Sequence, residues 1–126
     1  MSPSNGLPKS ERLCSLAAQR RLFNDGVTGF VYPFRYTTYT EESALPTVEV
    51  LFSVPKRNHK RANKRNLLRR RMKEAYRLQK HPLWQHVEAT GVAIDMALVY
   101  SSKEVVAYKT IENAIRRILE QVASRH

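Results

Sequence analysis

The sequence predicts one small domain of mixed α/β class. Its elements follow the order α-β-β-α-β-α, and residues 30–32 are either a further short strand or a lead-in to the next. Three observations carry that prediction. Residues 47–54 alternate side chains in the period of a strand, and residues 92–100 (VAIDMALVY) form a second β-rich run. Two other stretches space their apolar residues along one helical face. The chain has 126 residues, 42% of them hydrophobic, which suits a single domain with a real core.

Residues 1–10 hold two prolines, a glycine and three serines and read as a loose arm, so the domain is expected over 11–126. A first helix is expected over about 15–24. Ser15 is its N-cap, Gly26 lies just past its end, and Leu16, Leu22 and Phe23 form a modest apolar stripe. Residues 34–40 (FRYTTYT) are aromatic and β-branched. Phe34, Tyr36 and Thr38 share one face; Arg35, Thr37 and Tyr39 share the other. Residues 41–46 are a polar connection. In 47–54, Val48, Val50, Phe52 and Val54 alternate with Glu49, Leu51 and Ser53, and Pro55 ends the strand.

A helix follows over about 60–79. His81 and Pro82 stop it, because a residue before proline avoids helical geometry. Residues 83–90 read as a connection, with one helical turn around Trp84 at most. After strand 92–100, Ser101 and Glu104 have the spacing of a capping box. A last helix runs to about residue 123 on Ile111, Ala114, Ile115, Ile118, Leu119 and Val122.

Charge is concentrated in one place. Residues 56–80 hold twelve Lys and Arg against one acid, Glu74, and so account for the whole formal charge of +11. The ten cations and ten acids elsewhere cancel. On a helical wheel, Leu68, Met72, Ala75, Tyr76 and Gln79 fall within a sector of roughly 100° and form a seam toward the core. Asn66, Arg70, Lys73 and Arg77 lie opposite, with Arg65 and Arg69 on a flank. Guanidinium forks bind phosphate oxygens bidentately, and so many like charges destabilise a helix unless an anion is bound. The partner this implies is a polyphosphate backbone; a merely solvated face would carry compensating acids. A nuclear-import signal is disfavoured, since such runs are exposed and this one has a core-facing seam.

Other classes are excluded more simply. The chain has no apolar run of about 18 residues, so no membrane span is expected. Its first residues lack the apolar core of a signal peptide. One cysteine, Cys14, permits neither an intramolecular disulfide nor a cysteine metal site, and a cytoplasmic location is expected. The two aspartates, Asp25 and Asp95, are far apart, and His59, His81, His86 and His126 show no ligand spacing. No catalytic residue and no metal ligand is therefore expected.

The basic segment also carries a resemblance. Ser53, Val54, Pro55, Lys56 and Arg57, then Arg61 and Ala62, then residues 65–77 (RNLLRRRMKEAYR) resemble the signature of the bacterial ribonuclease P protein component. That family has an S-V-x-K-K strand end, an R-A spacer and an R-N-R-x-K-R-x-x-R-E-x-[FY] helix. Leu13 with Leu22, Phe23 and Gly26 resembles its first helix, and residues 95–100 resemble its fourth strand. The likeness covers about residues 7–120. Leu67 stands where the family usually has an arginine, and Gln19 where it often has an aromatic residue.

The resemblance implies a two-layer α+β sandwich, like that of a ribosomal-protein domain. Its four-stranded sheet would have an atypical left-handed β-α-β crossover from 47–54 through the basic helix to 92–100, whereas the general rule predicts a right-handed one. It implies the protein subunit of an endoribonuclease of tRNA 5′-end maturation, active only as a holoenzyme. There the RNA subunit cuts, with Mg²⁺ required by the holoenzyme and none held by the protein alone. Lys56, Arg57, Lys60, Arg61, Arg65, Asn66, Arg69, Arg70, Lys73 and Arg77 would meet the catalytic RNA. Phe23, Arg35 and Tyr39 would line a cleft for the 5′ leader of precursor tRNA. A monomer in a 1:1 complex with RNA is expected. The alternatives are a ribosomal-protein-like structural RNA-binding module, which explains the charge but not the spacing, and a free-standing nuclease, which lacks a carboxylate cluster.

Overall fold

The computed structural model describes residues 16–125. The arm at 1–10, Cys14, the Ser15 cap and His126 lie outside the described residues. The elements are α1 (Leu16–Asp25), β1 (Val27–Val31), β2 (Phe34–Glu42), β3 (Thr47–Ser53), α2 (Ala62–Gln79), α3 (His81–Thr90), β4 (Val92–Tyr100) and α4 (Tyr108–Arg125). The four strands form one sheet in the order β1-β2-β4-β3. Its pairs are antiparallel except β3 with β4, which run parallel, so α2 and α3 form the crossover between neighbouring strands.

Strand alternation divides the sheet into two faces. One face presents Phe34, Tyr36, Val48, Val50, Phe52, Ile94, Met96, Leu98 and Tyr100 to the seams of α2, α3 and α4, and this is the main core. The α2 seam is the expected one: Leu68, Met72, Ala75 and Tyr76 are buried. Gln79 donates to the carbonyls of Ala75 and of Glu112 on α4. The other face carries a small cluster, Leu22 of α1 on Ala97 with Ala18, Tyr39 and Leu51 around them.

Several boundaries differ from the sequence reading. Residues 27–31 are a separate strand, joined to β2 by a turn at Tyr32 and Pro33 whose peptide bond is cis. Gly29 fits beneath Tyr36, where an added Cβ would run into the ring. Strand β2 continues to Glu42, into the stretch read as a connection. Residues 83–90 belong to a full helix, not a connection. Pro82 sits in the first turn of α3, where its missing N–H costs nothing, and Leu83, Trp84 and Val87 give a buried face. Gly91 closes α3 in the left-handed region, with its N–H on the Val87 carbonyl at 2.9 Å.

The capping box is also corrected. Helix α4 begins at Tyr108, well beyond Ser101. The adjacent Ser102 instead accepts the Glu104 N–H at 3.0 Å and ties a loop together. In α1 the apolar stripe reduces to Leu22, since Leu16 and Phe23 are exposed.

Candidate nucleic-acid interface

Helix α2 keeps its cations where an anion can reach them. Lys60, Arg61, Lys64, Asn66 and Arg70 are exposed, as are Lys56 and Arg57 in the loop before the helix; Lys73 and Arg77 are partly so. Arg61 occupies the N-cap with extended backbone and provides no side-chain cap, and the first turn holds no acid. The positive end of the helix dipole therefore adds to the field of the cations. Arg69 donates to the Asn66 side chain, which presents the pair as one unit on the flank.

Four cations serve the fold as well as, or instead of, the surface. Arg65 donates through Nη1 to the carbonyls of His59 (2.9 Å) and Lys60 (2.8 Å), and it is partly exposed. Arg71 donates to the Val106 carbonyl at 3.0 Å. Lys80, between α2 and α3, is fully buried. Arg77 grips Glu74, and that contact is the main reason the Glu74 carboxyl is held below its usual range. The single acid of the basic segment is thus already engaged. Lys64 was not placed on the ridge by the wheel, yet it is exposed with the rest.

The loop that carries Lys56 and Arg57 is anchored. The N–H groups of Asn58 and His59 both reach the Pro55 carbonyl. His59 is buried, packs edge-on against Tyr100 at 5.4 Å, and donates from Nε2 to the Ser102 carbonyl at 2.7 Å. Tyr32 bonds Ser102 Oγ at 3.2 Å, and Ser101 N–H reaches the Pro33 carbonyl at 2.8 Å. Three connections, 32–33, 55–61 and 101–107, are thereby fastened at one end of the sheet.

The second surface is the groove between α1 and the sheet. Strand register gives its floor in rows. Phe30, Arg35, Val99 and Ser53 form the outer row, and Thr28, Thr37, Ala97 and Leu51 the next. Tyr39, Asp95 and Glu49 form the third. Leu22 covers the second row at Ala97. Arg21 reaches the third, with Nη2 at 3.2 Å from Asp95 and 3.5 Å from Glu41, and its guanidinium lies 4.9 Å from the Tyr39 ring centre. Successive helical residues diverge by about 100°, so Arg21 and Phe23 project from opposite flanks of Leu22. Phe23 thus overlooks the outer row, and it is 55% exposed.

Glu49 lies beside Asp95 on the groove floor. Burial first, then the neighbouring Asp95 charge and a hydrogen bond with it, push the Glu49 carboxyl up; Arg21 pulls the other way. Among the described residues no group of three or more acidic, histidine or cysteine side chains is arranged to hold a metal ion. No described helix is long and apolar enough to cross a membrane.

The structure brings the expected site residues together as two surfaces. Arg35 is exposed in the outer row, and Tyr39 is half-covered by Arg21 and the Leu22 cluster. Phe30 was missed. It is 59% exposed beside Arg35, and only the pairing of β1 with β2 reveals the face on which it stands.

Comparison with known proteins gives a consistent answer. A family model described as Ribonuclease P matches residues 7–123. A ribonuclease P protein component of Porphyromonas gingivalis is 34% identical, over 96% of this chain and 89% of its own length. One of Chlorobium phaeobacteroides is 30% identical, over 71% and 66%. The fold matches the RNase P protein of Staphylococcus aureus with a TM-score of 0.67 at 18% identity, covering 90% of this chain and 96% of that one. It matches that of Thermotoga maritima with 0.66 at 18%, covering 88% and 96%. The chain belongs to the ribonuclease P protein component family, the protein subunit of an endoribonuclease that processes tRNA as a ribonucleoprotein.

Proposed function

We propose that the α2 ridge docks on the ribonuclease P RNA while the groove beside α1 receives the single-stranded 5′ leader of precursor tRNA. The observation that carries the first half is the acid-free start of α2, with Lys60, Arg61, Lys64, Asn66 and Arg70 exposed, Arg65 and Arg69 partly so, and Lys56 and Arg57 exposed in the loop that leads into it. Phosphates neutralise that charge, so assembly is steeply salt-dependent. The second half is supported by the outer row, where the exposed Arg35 stands between Phe30 and Val99 on the flank of the groove toward which the exposed Phe23 projects, a cation beside aromatic side chains as single-strand sites require.

In this reading the protein performs no bond cleavage. It binds and orients the leader, which strengthens substrate and Mg²⁺ binding where the RNA subunit cuts. It acts as a monomer, one copy per RNA, in the cytoplasm. Mg²⁺ belongs to the holoenzyme.

The test is cleavage of a precursor tRNA with a long leader at low Mg²⁺, by the protein alone, by a bacterial ribonuclease P RNA alone, and by both. Cleavage at the mature 5′ end that is faster in the mixture, and weakened by Arg69→Ala with Arg70→Ala, is expected. A mixture no faster than RNA alone would favour the structural RNA-binding module. Cleavage by protein alone would overturn the division of labour.

A further inference from the structure

We propose that Phe30 and Arg35 form a nucleotide subsite at the open end of the α1 groove, Phe30 stacking a base of a single-stranded RNA and Arg35 holding an adjoining phosphate. The inference rests on the leader reading above.

Gly29 faces Tyr36 and Val31 is buried in the main core, so alternation sends Thr28 and Phe30 to the opposite face of β1. The contact of Thr28 Oγ1 with Thr37 Oγ1, at 3.3 Å, agrees. Phe30 is paired in register with Arg35, and side chains so paired stand about 5 Å apart at Cβ. One nucleotide can touch both.

The Tyr39 ring is covered by the Arg21 guanidinium and packs with Leu22, so its face is taken. Among the described residues no ring or guanidinium packs on Phe30, and Arg35 makes no ion pair. An exposed phenylalanine beside an exposed arginine gives one stacking surface and one phosphate donor, the two parts a single-strand site requires.

Continuity names the occupant. Ser53 closes the outer row on β3, and the chain runs on through Pro55 to the exposed Lys56 and Arg57. A strand lying along the row therefore enters the field of the α2 surface. An apolar protein partner would have no use for that cationic continuation.

The experiment uses the assembled holoenzyme and two precursor tRNAs, one with a long leader and one with a single leader nucleotide. The ratio of their kcat/KM values reports leader recognition. Phe30→Ala is expected to lower that ratio about tenfold, Phe30→Trp to keep it, and Phe30→Leu to fall with Ala, because stacking and not bulk is lost. Arg35→Ala should lower it and flatten its salt dependence. If Phe30→Ala matches the parent ratio, the subsite is wrong while the leader reading stands. If the parent itself shows no leader preference, both fall. If Phe30→Ala changes only the mass of the free protein in light scattering, the residue is a self-association contact and the proposal is overturned.

Discussion

On the α1 side of the sheet, Arg21 meets Asp95 at 3.2 Å and Glu41 at 3.5 Å and covers the Tyr39 ring. On α2, Arg61, Lys64 and Arg70 stand exposed, and the one acid of the helix, Glu74, is held by Arg77. The same residue type thus does two jobs. Where an arginine is matched with carboxylates it positions an element, here α1 over Ala97. Where arginines outnumber acids, their attraction is left for a molecule outside the protein, and their mutual repulsion is relieved only when it arrives. Matching, more than the count of charges, separates scaffold from interface.

That contrast can be broken at four places. Arg69→Ala with Arg70→Ala is expected to weaken assembly with the ribonuclease P RNA by roughly a hundredfold and to make its salt dependence shallower. The melting temperature of the free protein should hold or rise slightly. A filter-binding titration over several salt concentrations, beside a thermal melt, checks both.

Leu22→Ala acts on the other region. It removes the one buried side chain of α1, and the expected cost is about 2 kcal/mol in urea unfolding. Affinity for the RNA should change little, because the α2 seam lies in a separate cluster. A large loss of RNA affinity in this variant would show that the two regions are coupled.

Arg21→Ala is a smaller intervention. It leaves Asp95, Glu41 and Glu49 without their cation and is expected to cost about 1 kcal/mol, discounted because Arg21 is well exposed to solvent. Arg21→Lys should recover part of the loss but not the stack on Tyr39. Equal stability of parent and Arg21→Ala across low and high salt would show that α1 is held by Leu22 alone.

The smallest effect is a pH dependence at Glu49. Its pKa is raised in the fold by burial and by Asp95, so folding favours the protonated form. The stability this provides is present below the ordinary glutamate pKa and lost as pH rises through the raised value. Glu49→Gln is therefore expected to melt higher than the parent at neutral pH, with the difference shrinking as the solution is acidified below the carboxylate range. A difference independent of pH would contradict the assignment.

Much of this was legible in residue order. The period-two runs at 47–54 and 92–100 and the seam of α2 depend on local spacing, which sequence displays directly. Alternation in FRYTTYT also separated Phe34 and Tyr36, which enter the core, from Arg35 and Tyr39, which do not. What was hidden depends on partners distant in sequence. Pro82 does end α2, as read, but it also sits in the first turn of α3, a role set by which turn of a helix it occupies. Ser101 and Glu104 had capping spacing, but Ser102 used its hydroxyl on the loop. Phe30 lies in VTGFV, which has no clean alternation of its own; its face is fixed by Gly29 lying under Tyr36. Lys80 and Arg71 belong to the charge run by composition, yet tertiary packing takes both off the ridge.

Strand β3 belongs to both regions. Ser53 stands in the groove's outer row beside Val99, and a few residues later Lys56 and Arg57 open the cationic surface. The intervening turn is clamped through Pro55, His59 and Ser102. A molecule that touches both surfaces is thus measured against a ruler whose length is fixed by hydrogen-bonded backbone. One residue inserted between Pro55 and Asn58 would break that turn and put the separation of the outer row and the α2 helix out of true.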